Sequence, residues 1–307
     1  MSSIDLPPDE RGAWARFKEM QFQTKPRPPP ASLSFAGQTA VITGGYIGIG
    51  LACAKDMLAH QLSHLILAVR TVDKGEVIAK QLRQQYPKAK IEVWPLEMLS
   101  YDSIRAFVTR CESLSRLDIA ILNAGVGGGT FTINPSTGHE EGIQVNYLST
   151  ALLALLLLPV LKRSTQSNGG TPARLTMVAS ATAFRCAFAN RDAKPLLPSF
   201  DKHEGAWGLG EASERYSVSK LLLMMFTLTL GQHVSSSDVI INCVEPGFTS
   251  GTGLQRHVKG VLLRTVVLMM RIIQTTPEVA AYTYLDAVAM KGRESHGSFL
   301  MCYRNFP

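Results

Sequence analysis

The chain has 307 residues, is 46% hydrophobic and 18% charged, and carries a formal net charge of +7. That balance suits one large globular domain or two small ones and excludes a chain that is disordered over most of its length. The basic residues are spread along the sequence rather than gathered in a patch, which points away from nucleic acid and toward an anionic small ligand.

The chain opens on "MSSIDLPPDERGAW", polar and acidic where a signal peptide would be basic and then apolar. Residues 1 to 36 read as an N-terminal extension, with the proline-rich "KPRPPPASLSF" expected to run extended over the surface. From residue 37 to 307 strands alternate with helices. "QTAVIT" is a first strand, followed by a helix from Gly48 to Leu58; "HLILAV" is a second, with a helix from Lys74 to Tyr86. "KIEVWP" and a helix from Ser103 to Leu114 come next, then "LDIAIL" and a long helix from about Glu140 to Arg163. "RLTMVAS" is the fifth strand, Tyr216 to Val234 a helix, "DVIINCVE" the sixth strand, Pro277 to Ala289 a helix, and "SFLMCY" closes the sheet. This rhythm predicts one α/β domain: a doubly wound parallel sheet of about seven strands, helices on both faces, and ligands at the carboxyl ends of the strands.

Two apolar runs stand out, "ALLALLLLPVL" and "VLLRTVVLMMRII". Both are shorter than the ~20 residues of a membrane span, so no transmembrane segment is expected and the protein reads as cytoplasmic. The second run is basic and amphipathic, a type that can also lie on a membrane surface. The five cysteines are scattered with no C-x-x-C, and the histidines show no convincing ligand spacing, so neither a disulfide frame nor a metal site is expected.

"TGGYIGIG" follows the first strand and opens the first helix. Gly44, Gly48 and Gly50 permit a tight turn and a close approach of backbone to phosphate, while the helix N-terminus offers free N–H groups. Beyond the second strand stand Arg70 and Lys74. A basic residue at that place suits the 2′-phosphate of NADP rather than the 2′-hydroxyl of NAD. Further on, "ERYSVSK" puts Tyr216 four residues before Lys220, on one helix face.

Together these pieces resemble the short-chain dehydrogenase/reductase family over nearly the whole chain after residue 36. "TGGYIGIG" matches its glycine loop, "LNAGV" its N-A-G segment (Asn123, Ala124, Gly125), "VNYLS" the segment of its asparagine, "MVASA" that of its serine, "YSVSK" its Y-x-x-x-K pair and "EPGF" its P-G turn. The leader and "SFAGQTAVITG" are similar to fungal members that act in specialised metabolism. The resemblance implies a catalytic set of Asn146, Ser180, Tyr216 and Lys220. It implies cofactor contacts from Gly44, Tyr46, Ile47, Gly48, Gly50, Arg70, Lys74, Glu97, Asn123, Ala124, Gly125, Tyr216, Lys220, Pro246, Gly247 and Thr249. Three features depart from the pattern. Tyr46 and Ile47 replace small or polar loop residues, Glu97 stands where an aspartate usually holds the adenine, and the threonine after the P-G turn is displaced to Thr249 or Thr252.

The chemistry implied is reduction of a ketone or aldehyde on a hydrophobic small molecule with NADPH, or the reverse alcohol oxidation. Tyr216 would transfer the proton, Ser180 would orient the substrate oxygen, and Asn146 would fix a water leading from Lys220 to solvent. Lys220 and the nicotinamide ring are expected to pull the phenol below its usual pKa near 10. A non-redox cyclase or isomerase on the same scaffold, and an NADP(H)-binding regulatory protein, are the alternatives. A long stretch separates Ser180 from Tyr216, and Ser199, Ser213 and Ser217 lie nearer in sequence. Ser180 is preferred because it ends a strand. Residues Ala181 to Glu214 and Phe248 to Thr275 are expected to frame the substrate and close over it, with Phe184, Phe188, Trp207, Phe248 and Leu254 as candidate pocket contacts. Leu152 to Leu158, Leu221 to Leu230 and Val261 to Met270 read as core, as pocket lining, or as the interface of a homodimer.

Overall fold

Short runs rich in Val, Ile and Leu form the centre of the molecule. β1 (Thr39–Thr43), β2 (His64–Val69), β3 (Lys90–Pro95), β4 (Ile119–Leu122), β5 (Ala173–Val178), β6 (Val239–Val244) and β7 (Ser298–Met301) pair in parallel, and β8 (Arg304–Phe306) adds antiparallel to β7. The spatial order is β3-β2-β1-β4-β5-β6-β7-β8. The computed structural model describes residues 3–24, 27–127, 129–250 and 274–306.

Because both faces of the sheet are covered, strand residues are apolar almost without break, and alternate side chains serve opposite cores. Val41, Ile66 and Ala120 face one core with helices α4 (Tyr101–Glu112), α5 (Glu141–Ser167) and α6 (Leu209–His233). Ile42, Leu67 and Ile121 face the other with α2 (Gly48–Ala59), α3 (Val72–Gln85) and α7 (Pro277–Leu285). Each fully buried Leu or Ile in such layers stabilises the fold by roughly 1.5–3 kcal/mol. Strand order reverses between β1 and β4, which opens a crevice at their carboxyl ends.

The expected elements are present with shifted ends. The helix expected from Tyr216 starts a turn and more earlier, at Leu209, because the Glu211 carboxylate accepts the Gly208 N–H at 3.0 Å and caps it. The closing run stops at Met301: Cys302 and Tyr303 both take positive φ (55° and 59°) and turn the chain into β8, an eighth strand. α5 is long and apolar enough to cross a membrane by length and composition. It is a core helix: Leu153, Ala154, Leu157, Val160 and Leu161 are buried against the sheet and its first turns enter the crevice.

The N-terminal segment carries a helix, α1 (Ala13–Lys18), that the sequence reading placed inside an irregular extension. It is held by Glu19 to Arg304 at 2.7 Å and by Arg16 over the Phe184 ring. The second apolar run, Val261 to Ile273, lies outside the described residues, as do Leu254, Thr252 and the basic residues Lys259, Arg264 and Arg271.

Candidate active site

The glycine turn leaves β1 with Gly44 and Gly48 at positive φ (66° and 58°). Gly50 has no room for a side chain: a Cβ there would lie 2.7 Å from Asn123 Nδ2 and 3.1 Å from the Gly44 carbonyl. The turn is thus packed directly on the end of β4. Asn123 Nδ2 donates to the Thr43 carbonyl at 2.8 Å, its Oδ1 accepts the Tyr284 hydroxyl at 2.9 Å, and the Ala124 N–H donates to Thr43 Oγ1 at 2.8 Å. Ile47, 40% exposed, precedes α2 without a capping side chain, so the first N–H groups of that helix stay available to an anion. Tyr46 packs half-buried beside it.

Past β2, Arg70 reaches into solvent and lies 3.8 Å from the Glu97 carboxylate, while Lys74 is exposed on the first turn of α3. Glu97 also accepts the Leu99 N–H at 3.0 Å. A glycine turn at an uncapped helix, with cations beyond the next strand, fits a phosphorylated dinucleotide.

Asn146 sits in a π-type stretch, Gln144–Ser149, that interrupts α5. Such stretches re-aim one side chain relative to a regular helix. Asn146 brackets the backbone of Val126, accepting its N–H and donating to its carbonyl, each at 2.9 Å, and donates to Ser219 Oγ at 3.0 Å. Ser219 in turn donates to the Tyr216 carbonyl at 2.6 Å. Lys220 is 4% exposed; its Nζ donates to the Val178 carbonyl at 2.7 Å and lies 5.7 Å from the centre of the Tyr216 ring. A Cβ on Gly125 would come within 3.1 Å of Asn146 Oδ1 and 3.5 Å of Lys220 Nζ, so only glycine leaves these groups open to the crevice.

Ser180 lies two residues past the end of β5, not on the strand as expected, and precedes a 3₁₀ turn (Ala181–Arg185), its Oγ accepting the Thr182 N–H at 3.3 Å. Its hydroxyl interacts with both the Tyr216 phenol and the Glu245 carboxyl. The structure therefore brings Asn146, Ser180, Tyr216 and Lys220 to one place at the strand ends, beside Gly125. Pro246, Gly247 (φ 82°) and Thr249, whose hydroxyl donates to the Gly247 carbonyl at 3.1 Å, close the far side.

The electrostatics differ from expectation in one respect. Tyr216 is partly exposed as a residue, but its hydroxyl end is enclosed, and the phenol is pushed up, by burial first and by Glu245 second; Ser180 pulls it back in part. Burial brings Lys220 itself down to about 8, against an opposing pull from Glu245. Burial raises Glu245 to about 7. The motif reading treated Glu245 only as the residue before the P-G turn; its charge had no visible meaning until β5 and α6 were packed against it.

The expected pocket aromatics divide. Phe184 turns to Phe299 and Phe306 (5.6 and 5.4 Å) in the core rather than to the crevice. Phe188 stacks on Phe200 at 6.3 Å. Trp207 donates to the Gly129 carbonyl at 2.9 Å and packs on Phe131 and His203, so it anchors its loop. Phe248 is half-buried, its N–H donating to Gln21 Oε1 at 3.2 Å. A hub missed from sequence is Arg215: its guanidinium lies 5.2–5.7 Å from the ring centres of Phe200, Trp207 and Phe131, and 3.5 Å from the buried Glu140 carboxylate.

Fold and site together define a nucleotide-crevice enzyme of the doubly wound class. The family model described as short chain dehydrogenase matches residues 38–185. The short chain dehydrogenase/reductase mfmJ of Annulohypoxylon moriforme is 45% identical over 309 residues, covering 100% of this chain and 88% of that one. The short chain dehydrogenase virL of Hypocrea virens is 40% identical, covering 92% and 81%. This chain belongs to the short-chain dehydrogenase/reductase family of oxidoreductases. Among solved structures, the Pseudomonas aeruginosa RhlG/NADP active-site complex superposes with a TM-score of 0.64 at 22% identity, covering 87% of this chain and 95% of that one. A short chain dehydrogenase from Salmonella enterica serovar Typhi gives 0.67 at 18%, covering 90% and 99%.

Proposed function

We propose that the chain is an NADPH-dependent reductase of a ketone or aldehyde on a hydrophobic small molecule, or the reverse alcohol dehydrogenase, acting in fungal specialised metabolism. The observation that carries this is the convergence of Tyr216, Ser180, Lys220 and Asn146 beside Gly125, next to a glycine turn with Arg70 beyond it. Two further things support the reading: the relatives are fungal short chain dehydrogenases, and neighbours of the fold are described with NADP bound. The first N–H groups of α2 and the turn Gly44–Gly50 would hold the pyrophosphate, Arg70 and Lys74 the 2′-phosphate, Glu97 the adenine, and Pro246, Gly247 and Thr249 the carboxamide side.

The cofactor, when bound, supplies the hydride. Tyr216 gives its phenol proton to the substrate oxygen. Ser180 donates a hydrogen bond to the same oxygen and orients it. Lys220 holds the ribose and, with Asn146 and the Val126 backbone, returns a proton to Tyr216 from solvent. The exposed Leu155 and Met225, on the neighbouring helices α5 and α6, are the surface assigned to a homodimer, which a molar-mass measurement in solution checks.

The test is to follow the absorbance of NADPH with a panel of hydrophobic ketones. Cofactor consumption with alcohol formed supports the reading. Product without consumption makes the chain a non-redox enzyme, and binding without product makes it a regulatory protein.

A further inference from the structure

The N-terminal segment is fastened to the domain at points far apart in sequence. The Ser3 N–H donates to Ser298 Oγ at 2.9 Å, and Ser3 Oγ accepts the Phe299 N–H at 3.1 Å, at the start of β7. Glu19 meets Arg304 of β8, and Met20 packs on the core below. At the crevice the same segment touches both turns that frame the site. The Arg16 guanidinium lies 5.2 Å from the centre of the Phe184 ring, in the turn that follows Ser180. Gln21 reaches the P-G turn.

Gln21 sits in the middle of a π-type stretch, Glu19–Gln23, that continues α1. As at Asn146, such a stretch re-aims a side chain. Gln21 Oε1 accepts the Phe248 N–H at 3.2 Å, and Nε2 donates to the Phe248 carbonyl at 3.4 Å and to Thr275 Oγ1 at 3.3 Å. The Phe248 carbonyl also accepts the Thr275 N–H at 2.9 Å, and the Ser250 N–H donates to the Thr275 carbonyl at 3.0 Å. One amide, with an acceptor and a donor side by side, thus holds both polar groups of Phe248 and the returning chain at Thr275. It lies directly against the turn: a Cβ on Gly247 would come 3.8 Å from Gln21 Oε1. From inside, the Glu245 carboxylate accepts the N–H of Ala181 and that of Gly247, the latter at 2.9 Å. The P-G turn is therefore held on its inner side by Glu245 and on its outgoing side by Gln21.

We propose that Gln21 is a positioning residue that preorganises the P-G turn for the nicotinamide end of the cofactor, which makes the N-terminal extension a part of the active site. This rests on the reading of Pro246, Gly247 and Thr249 as the carboxamide side. Without the amide, the turn must be ordered as the cofactor binds, and that ordering is subtracted from affinity. A less well placed ring also slows transfer. The adenosine end, at Gly44–Gly50 and Arg70, lies on the other side of the crevice and is left as it was.

The experiment is a calorimetric titration of the full chain, as wild type, Gln21→Met and Gln21→Glu, with two probes. One is NADPH; the other is adenosine 2′,5′-bisphosphate, which carries the adenosine end and no nicotinamide. Gln21→Met keeps the length of the side chain and loses both hydrogen-bonding ends. Its affinity for NADPH should fall about tenfold, the worth of one or two hydrogen bonds, while that for the bisphosphate stays within about twofold of wild type. Its kcat with a ketone should fall by about tenfold as well. Unchanged affinity for NADPH, or equal losses for both probes, overturns the proposal. If Gln21→Met does not fold, Gln21→Glu decides: it keeps the acceptor for the Phe248 N–H but turns a carboxylate oxygen on the Phe248 carbonyl. The same loss confined to NADPH is expected there, and any other pattern overturns the proposal. Failure of the parent reading looks different, because wild type itself would then bind neither probe, and the proposal would fall with it.

Discussion

The crevice has two sides built by different means. On the β1–β4 side, recognition is written in backbone: Gly44 and Gly48 at positive φ, and Gly50 pressed against Asn123. On the side that follows β5, the site is written in buried side-chain charge: Glu245 between two N–H groups, Lys220 on a carbonyl, and Arg215 among three aromatic rings above Glu140. Backbone geometry binds a group common to many enzymes and tolerates few substitutions. A charged cluster tunes reactivity and holds long loops, and it responds to pH.

The largest expected effect that separates the two sides is Tyr216→Phe. It removes the proton and keeps the ring, so turnover should fall by about 10²–10⁴ while cofactor affinity, a property of the other side, holds. Steady-state rates with fluorescence binding measure both, and equal losses in both would break the division.

Next comes Arg215→Met. It leaves the Glu140 carboxylate, which caps the Gly142 and Ile143 N–H groups, without its cation, and it frees the loop that reaches from Phe200 to Trp207. Breaking a buried pair from one partner costs about 3 kcal/mol. Denaturant unfolding should register that loss, and KM for a ketone should rise more than KM for NADPH.

Third is a pH effect with a defined sign. Glu245 is raised from 4.5 to about 7 in the folded chain. Between those values the native protein holds a proton the unfolded chain has released, so this group's contribution to stability falls as pH rises through that window. The wild-type curve minus that of Glu245→Gln should decline by about 2 kcal/mol from pH 4.5 to 7. A flat difference would mean that Glu245 ionises normally.

The smallest effect belongs to the backbone side. Arg70 is 63% exposed, so its contact to a 2′-phosphate is screened, and Arg70→Ala should weaken NADPH binding by only about 1.5 kcal/mol. Affinity for NADH should barely change. Equal weakening of both would make Arg70 a structural partner of Glu97.

The same contrast explains what the sequence disclosed. Strands such as "HLILAV" and the turn "TGGYIGIG" are local statements, in which periodicity and glycine positions carry the constraint. Asn146, Ser180, Tyr216 and Lys220, which the motifs named, lie together at the strand ends. β8 escaped because its turn uses Cys302 and Tyr303 at positive φ, where glycine or asparagine would have signalled a hairpin. The early start of α6 escaped because its cap is a glycine N–H held by Glu211. Phe184 was read as a pocket residue because aromatic type says nothing of direction; it faces Phe299 and Phe306. The upward push on Tyr216 could not be read from the Tyr–Lys spacing, because it arises from burial first and from Glu245 second, both set by tertiary packing.

Hydride transfer at this site is tested most directly by isotope tracing. NADPH carrying deuterium at both C4 positions is incubated with the protein and a hydrophobic ketone it turns over, and the product is analysed by mass spectrometry. The account predicts an alcohol bearing one deuterium on the former carbonyl carbon, formed by wild type and lost in Tyr216→Phe. A product that forms without deuterium would contradict it.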